Sequence, residues 1–102
     1  MDLFIKKQIT DEEAFLMLEG SVDTLTSPSL ESSIREAAEK ANTLHIDFTK
    51  VNYISSAGLR ALLIGEKLMS KKGGSMKIIN PCPDVMEVFD ITGFSSILDI
   101  VS

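Results

Sequence analysis

Two adjacent serines, Ser55 and Ser56, stand in the stretch YISSAGLRALLIGEKL, between an apolar, strand-like run and an amphipathic, helix-like one. A serine at such a junction can do two kinds of work. As a helix N-cap its hydroxyl accepts a hydrogen bond from a first-turn N–H, worth about 1 kcal/mol. As an acceptor of a phosphoryl group it would carry about −1.5 to −2 charge at neutral pH, where first-turn N–H groups and the helix dipole favour an anion. Ala57 and Gly58 suit both readings, since small residues let a helix pack close to a sheet and also leave the backbone open to a second protein. Arg60, one turn into the helix, has the chemistry to pair with a phosphate or a partner's carboxylate, or simply to face water.

Catalytic readings of these serines fail on what surrounds them. A serine nucleophile needs a base within reach and an oxyanion site, yet the chain has one histidine, His45, and SSAG is not a G-x-S-x-G elbow. No G-x-x-x-x-G-K-[ST] loop is present to cradle a nucleotide. The single cysteine, Cys82, lies between two prolines and excludes an internal disulfide, and nothing near it or His45 has a zinc-ligand spacing. Neither an enzyme nor a metal or cofactor site is expected.

The elements that must position the serines follow from periodicity. Leu3 to Ile9 alternates and Ala14 to Glu19 is more continuously apolar, so two strands are expected around the turn Thr10-Asp11-Glu12, the second ending at Gly20. The loop SVDTLTSPS then leads into a helix with Ser27 as N-cap and Pro28 at its first position. Leu30, Ile34, Ala37, Ala38 and Ala41 form its apolar stripe. Thr43 to Phe48 reads as a third strand, with Asp47 and Thr49 closing it by turn hydrogen bonds. Residues 57–72 make a second helix, closed by Lys71-Lys72 and Gly73-Gly74. A strand over residues 75–80, a short helix through Val85 and Phe89 ended by Gly93, and a strand over Ile97 to Val101 complete the order β-β-α-β-α-β-α-β. The fold class is α/β: one domain over residues 1–102, with a mixed, mostly parallel sheet, helices packed against it and an antiparallel first pair. The five methionines, 1, 17, 69, 76 and 86, are expected mostly in the core.

Composition narrows the partners. Ten Lys and Arg stand against fifteen Asp and Glu, a net charge of −5, which disfavours nucleic acid and anionic lipid. No run approaches the ~20 apolar residues of a membrane span, and the N-terminus lacks a signal-peptide pattern, so a cytoplasmic protein is expected.

The run HIDFTKVNYISSAGLRALL, followed by GGSMKIINPCPDVMEVFDITGF, resembles the STAS domain family, the anti-sigma factor antagonists of bacterial transcription regulation and the related domain of sulphate transporters. The loop GSVDTLTSPSL is similar to the family segment between second strand and first helix, with Asp23 at its acidic position. The resemblance spans nearly the whole chain. It implies a binding module in a stress-response type of pathway. The face built from Asp23, Thr24 and Ser27 and from Ser55, Ala57, Gly58, Leu59 and Arg60 would capture an anti-sigma factor serine kinase, and phosphorylation would release it. A serine phosphatase would reset the switch.

In phosphorylatable members the signature is Asp-Ser-[Ser/Thr/Ala]-Gly-[Leu/Ile], and alignment on Gly58 puts the acceptor at Ser56, with Ser55 as a fallback. The acid that would orient the acceptor hydroxyl is here Ser55. That departure gives an alternative expectation: an unphosphorylated STAS scaffold subunit of a larger signalling or lipid-transport complex. Family members often carry a further C-terminal helix, whereas the sequence to Ser102 ends with the last strand.

Overall fold

The computed structural model describes residues 2–102. Strands β1 (Leu3–Ile9) and β2 (Glu13–Val22) form an antiparallel pair, as the short Thr10-Asp11-Glu12 turn requires. Helix α1 (Ser27–Lys40) leads to β3 (Thr43–Ile54), α2 (Ser56–Lys71) to β4 (Ser75–Ile79), and α3 (Pro83–Thr92) through a 3-10 turn at Phe94–Ser96 to β5 (Asp99–Val101). The sheet order is β1-β2-β3-β4-β5, and every pair after the first is parallel. The expected mixed, mostly parallel α/β architecture and its element order are therefore present.

Because each crossover steps the same way along the sheet and such connections are right-handed, all three helices fall on one face. Alternation along the strands agrees. Ala14, Leu16 and Leu18 of β2, Leu44, Ile46 and Phe48 of β3, and Met76 and Ile78 of β4 are buried under the helices. Phe15, His45, Asp47 and Lys77 occupy the opposite, half-exposed face. His45 is held there by stacking on Phe15, with ring centroids 4.4 Å apart, and by a 2.9 Å contact from Nε2 to Glu13 Oε1. Of the methionines, Met69 and Met76 are core residues, Met17 and Met86 are only half-buried, and Met1 lies outside the described residues.

Several boundaries differ from the sequence expectation, and the differences shape the site. Gly20 does not end β2. It sits within the strand at φ +123°, where a Cβ would collide with the Asp2 carbonyl, and the strand continues to Val22. Likewise β3 runs past Phe48 to Ile54. The 10 residues of β2 lie beside 12 of β3, with register shifts between Met17 and Glu19 and between Gly20 and Ser21, so β3 contains two extra residues. Such bulges re-aim the residues that follow them. Asp47 Oδ1 accepts the Thr49 N–H at 2.9 Å, as expected, but it marks the first bulge and not the strand's end. The N-cap position of α1 is Thr26, one residue before the expected Ser27, and its side chain makes no capping hydrogen bond to the helix. The last strand covers three residues, since Phe94 to Ile97 are wound into the 3-10 turn and its cap.

Candidate functional site

The extension of β2 and β3 beyond their bulges brings the two serines to the loop that follows β2. Val22 pairs with Ile54 at the strand ends, and the next residue, Ser55, donates its N–H to the Val22 carbonyl at 2.8 Å. Ser55 has extended backbone (φ −97°, ψ 175°) and is the N-cap of α2: its Oγ accepts the Gly58 N–H at 3.3 Å and its carbonyl accepts the Leu59 N–H at 3.0 Å. Of the two roles open to the serine pair, Ser55 fills the structural one. An aspartate at this position would accept the same bond, so the cap geometry is compatible with either residue.

Ser56 is the first residue of α2. It is exposed, and its hydroxyl has no hydrogen-bond partner among the described residues. Ala57 beside it is half-buried, while Gly58 and Leu59 are buried. At Gly58 α2 lies close against the sheet: a Cβ there would lie 2.6 Å from Val22 Cγ1 and 2.7 Å from Ile54 Cγ1. Glycine at this position therefore serves packing and fixes where the helix begins.

The loop after β2 is held by its own side chains. Asp23 Oδ1 accepts the backbone N–H groups of Leu25 and Thr26, both at 3.0 Å, and lies 3.1 Å from the Thr26 hydroxyl. That hydroxyl accepts the Asp23 N–H at 2.9 Å and reaches the Ser21 carbonyl at 2.8 Å. Chiefly the bond from the Thr26 backbone keeps the Asp23 carboxyl below its usual pKa, against the opposing effect of desolvation. A carboxylate so engaged shapes the loop. Ser27 does the same from beneath, being buried with its hydroxyl facing the Thr24 carbonyl.

The residues expected to meet a partner thus divide. Thr24, Ser56 and Arg60 face outward, Asp23, Ser55 and Ala57 are partly covered, and Ser27, Gly58 and Leu59 support the surface from within. Two exposed apolar residues of the same region were absent from the sequence reading: Leu25, 85% exposed in the Asp23 turn, and Tyr53, 47% exposed and paired in register with Ser21. Leu25 could have been noticed as a lone leucine in the polar loop before the helix, outside that helix's apolar stripe. Beside this surface a groove of about 350 Å³ runs between α1 and α2, lined by Glu31, Arg35, Ala57 and Arg60 among others. A second hollow of about 390 Å³ lies on the open sheet face around Phe4, Met17 and Lys50, apart from the serines. Among the described residues no group of three or more His, Cys, Asp or Glu is placed to hold a metal ion, and no helix is long and apolar enough to cross a membrane.

A strand-end serine pair, an acid-pinned loop and a mixed, mostly parallel sheet covered by helices on one face together define a domain class, and the chain belongs to the STAS domain family, which it matches over residues 4–102. It is 29% identical over 100 residues to the anti-sigma-B factor antagonist of Bacillus subtilis, covering 98% of this chain and 92% of that protein. Over 86 residues it is 33% identical to BtrV of Bordetella bronchiseptica, covering 83% and 74%. Among solved structures, an anti-sigma factor antagonist from Mycobacterium paratuberculosis superposes with a TM-score of 0.86 at 22% identity, covering 98% of this chain and 86% of that one. SpoIIAA, another anti-sigma factor antagonist, superposes in its unphosphorylated form with a TM-score of 0.77 at 18% identity (97% and 87% covered), and in its phosphorylated form with 0.76 at 19% (97% and 92%).

Proposed function

We propose that this chain is a cytoplasmic anti-sigma factor antagonist, a protein-binding switch and not an enzyme. With Ser56 unmodified, the surface made by the Asp23 loop and the start of α2 captures an anti-sigma factor kinase. Sequestration of that kinase releases a sigma factor. Phosphorylation of Ser56 ends the capture through like-charge repulsion and the desolvation of a dianion, and a serine phosphatase restores it.

The observation that carries this reading is the division of labour between the serines. Ser55 is committed to the cap, whereas Ser56 is exposed with its hydroxyl unengaged. Exposed Leu25 and Tyr53 nearby supply apolar contact area of the kind that anchors a protein partner. The relatives named as anti-sigma factor antagonists support the same reading.

The test is phosphopeptide mapping of the chain after incubation with ATP and a lysate of its source cell, beside a Ser56→Ala control. Phosphate on Ser56 that vanishes in the control is the expected result. A lysate that labels a known kinase substrate but leaves Ser56 unmodified overturns the switch, and leaves the unphosphorylated scaffold subunit as the reading.

A further inference from the structure

We propose that Arg60 is the built-in counter-ion of a phosphate on Ser56, so that modification withdraws from the surface the arginine which the unmodified protein presents to its partner. This rests on the reading of Ser56 as the modified residue and adds the group that answers the new charge.

The placement comes from helix geometry. Ser56 and Arg60 are i and i+4 in α2, about 40° apart around the axis and one turn apart along it. Helical side chains lean toward the N-terminus, so an arginine at i+4 extends back over residue i. Pairs at this spacing are neighbours on a helix surface. A guanidinium offers two parallel N–H donors to two phosphate oxygens, a match that a lysine ammonium lacks.

The state of the two arginines singles out Arg60. The chain has only Arg35 and Arg60, and both line the groove between α1 and α2. Arg35 is already paired, with Nε 3.0 Å from Glu31 Oε2. Arg60 is exposed and makes no ion pair among the described residues. In a chain of net charge −5, an unpaired arginine beside the proposed interface is a contact for a partner's acidic side chain. A phosphate on Ser56 takes that contact over from within the same molecule. Phosphorylation then changes the surface twice: it adds a dianion and removes a free guanidinium.

The experiment installs phosphoserine at position 56 during synthesis, in otherwise native chain and in Arg60→Gln and Arg35→Gln variants, and follows the phosphate by phosphorus NMR as pH is varied. The second ionisation of phosphoserine lies near pH 6 in the absence of partners, at roughly that value. It is expected at least about half a pH unit lower in the native chain than in Arg60→Gln, because a nearby cation favours the dianion. Arg35→Gln should follow the native chain. Coincident titrations for the native chain and Arg60→Gln overturn the proposal, as does an equal displacement in Arg35→Gln. The phosphate is not introduced by a kinase, so a lack of Ser56 phosphate in cells would defeat the switch reading while leaving the titration result intact.

Discussion

Gly58→Ala tests whether close packing at the start of α2 sets the position of the serines. An alanine Cβ would stand 2.6 Å from Val22 Cγ1, 2.7 Å from Ile54 Cγ1 and 3.3 Å from Ile54 Cδ1. Carbon atoms pack best at about 3.5–4.0 Å, so the helix start or the two side chains must give by roughly 1 Å. Neither neighbour yields readily. Val22 and Ile54 are 0% and 3% exposed, they pair across β2 and β3, and both are β-branched and stiff at χ1. Overpacking of this kind costs about 1–3 kcal/mol, whereas exchanging glycine for alanine in a helix returns about 1 kcal/mol. The expected balance is a loss of about 0–2 kcal/mol, centred on roughly 1 kcal/mol. For a domain of this size each 1 kcal/mol lowers Tm by roughly 4–8 °C.

Urea denaturation and a thermal melt of Gly58→Ala beside the native chain measure the effect. Repeating the pair in a Val22→Ala background should shrink the loss, because the nearer of the two clash partners is then gone, Ile54 has room to move and the sites are coupled. A Gly58→Ala chain more stable than the native one would refute the reasoning. It would mean that the junction has slack and that something other than this contact fixes where α2 begins.

Two further outcomes follow from the same geometry. Ser55→Ala removes the Oγ that accepts the Gly58 N–H and should cost about 1 kcal/mol in urea denaturation, whereas Ser55→Asp should hold native stability or slightly exceed it because aspartate caps equally well and suits the helix dipole. Glu66, between Leu62 and Met69 on α2, has a buried Oε2 without a hydrogen-bond partner among the described residues, and desolvation, aided by Asp99, raises its pKa above the ordinary 4.5. Its folded form holds the proton more tightly than the unfolded chain, so the native protein loses stability as pH climbs from the unfolded value through the folded one. Glu66→Gln should therefore be the more stable protein at pH 7 and lose its advantage below about pH 4.5, as read from melts across that range.

Much of this fold is legible in the sequence because its helices obey simple rules. The Leu30, Ile34, Ala37, Ala38 stripe is buried as periodicity requires, Gly93 ends α3 in the left-handed conformation, and the Thr10-Asp11-Glu12 turn forces the antiparallel first pair. What escaped is the length of β2 and β3. Their ends break the alternation on which strand reading depends, since Gly20 resembles a terminator and Thr49-Lys50 and Asn52-Tyr53 resemble loop. The bulges explain both: two extra residues in β3 turn polar side chains outward without releasing the backbone from the sheet. The choice between Ser55 and Ser56 was hidden for the same reason. Once β3 continues to Ile54, only Ser55 remains to make the turn into α2, and the cap falls to it.

That assignment bears on how a switch at this site could work. A phosphate on the N-cap Ser55 would act directly on the bond that its Oγ accepts from the Gly58 N–H, and so on the start of α2. Ser56 has no such bond to lose, and the helix start beneath it is fixed twice over, by the Ser55 cap and by Gly58 against Val22 and Ile54. A phosphate on Ser56 can therefore alter what a partner meets while leaving the fold unchanged. The domain would then need no second conformation to be a switch, and its response would come from the charge of one exposed surface and the arginine beside it.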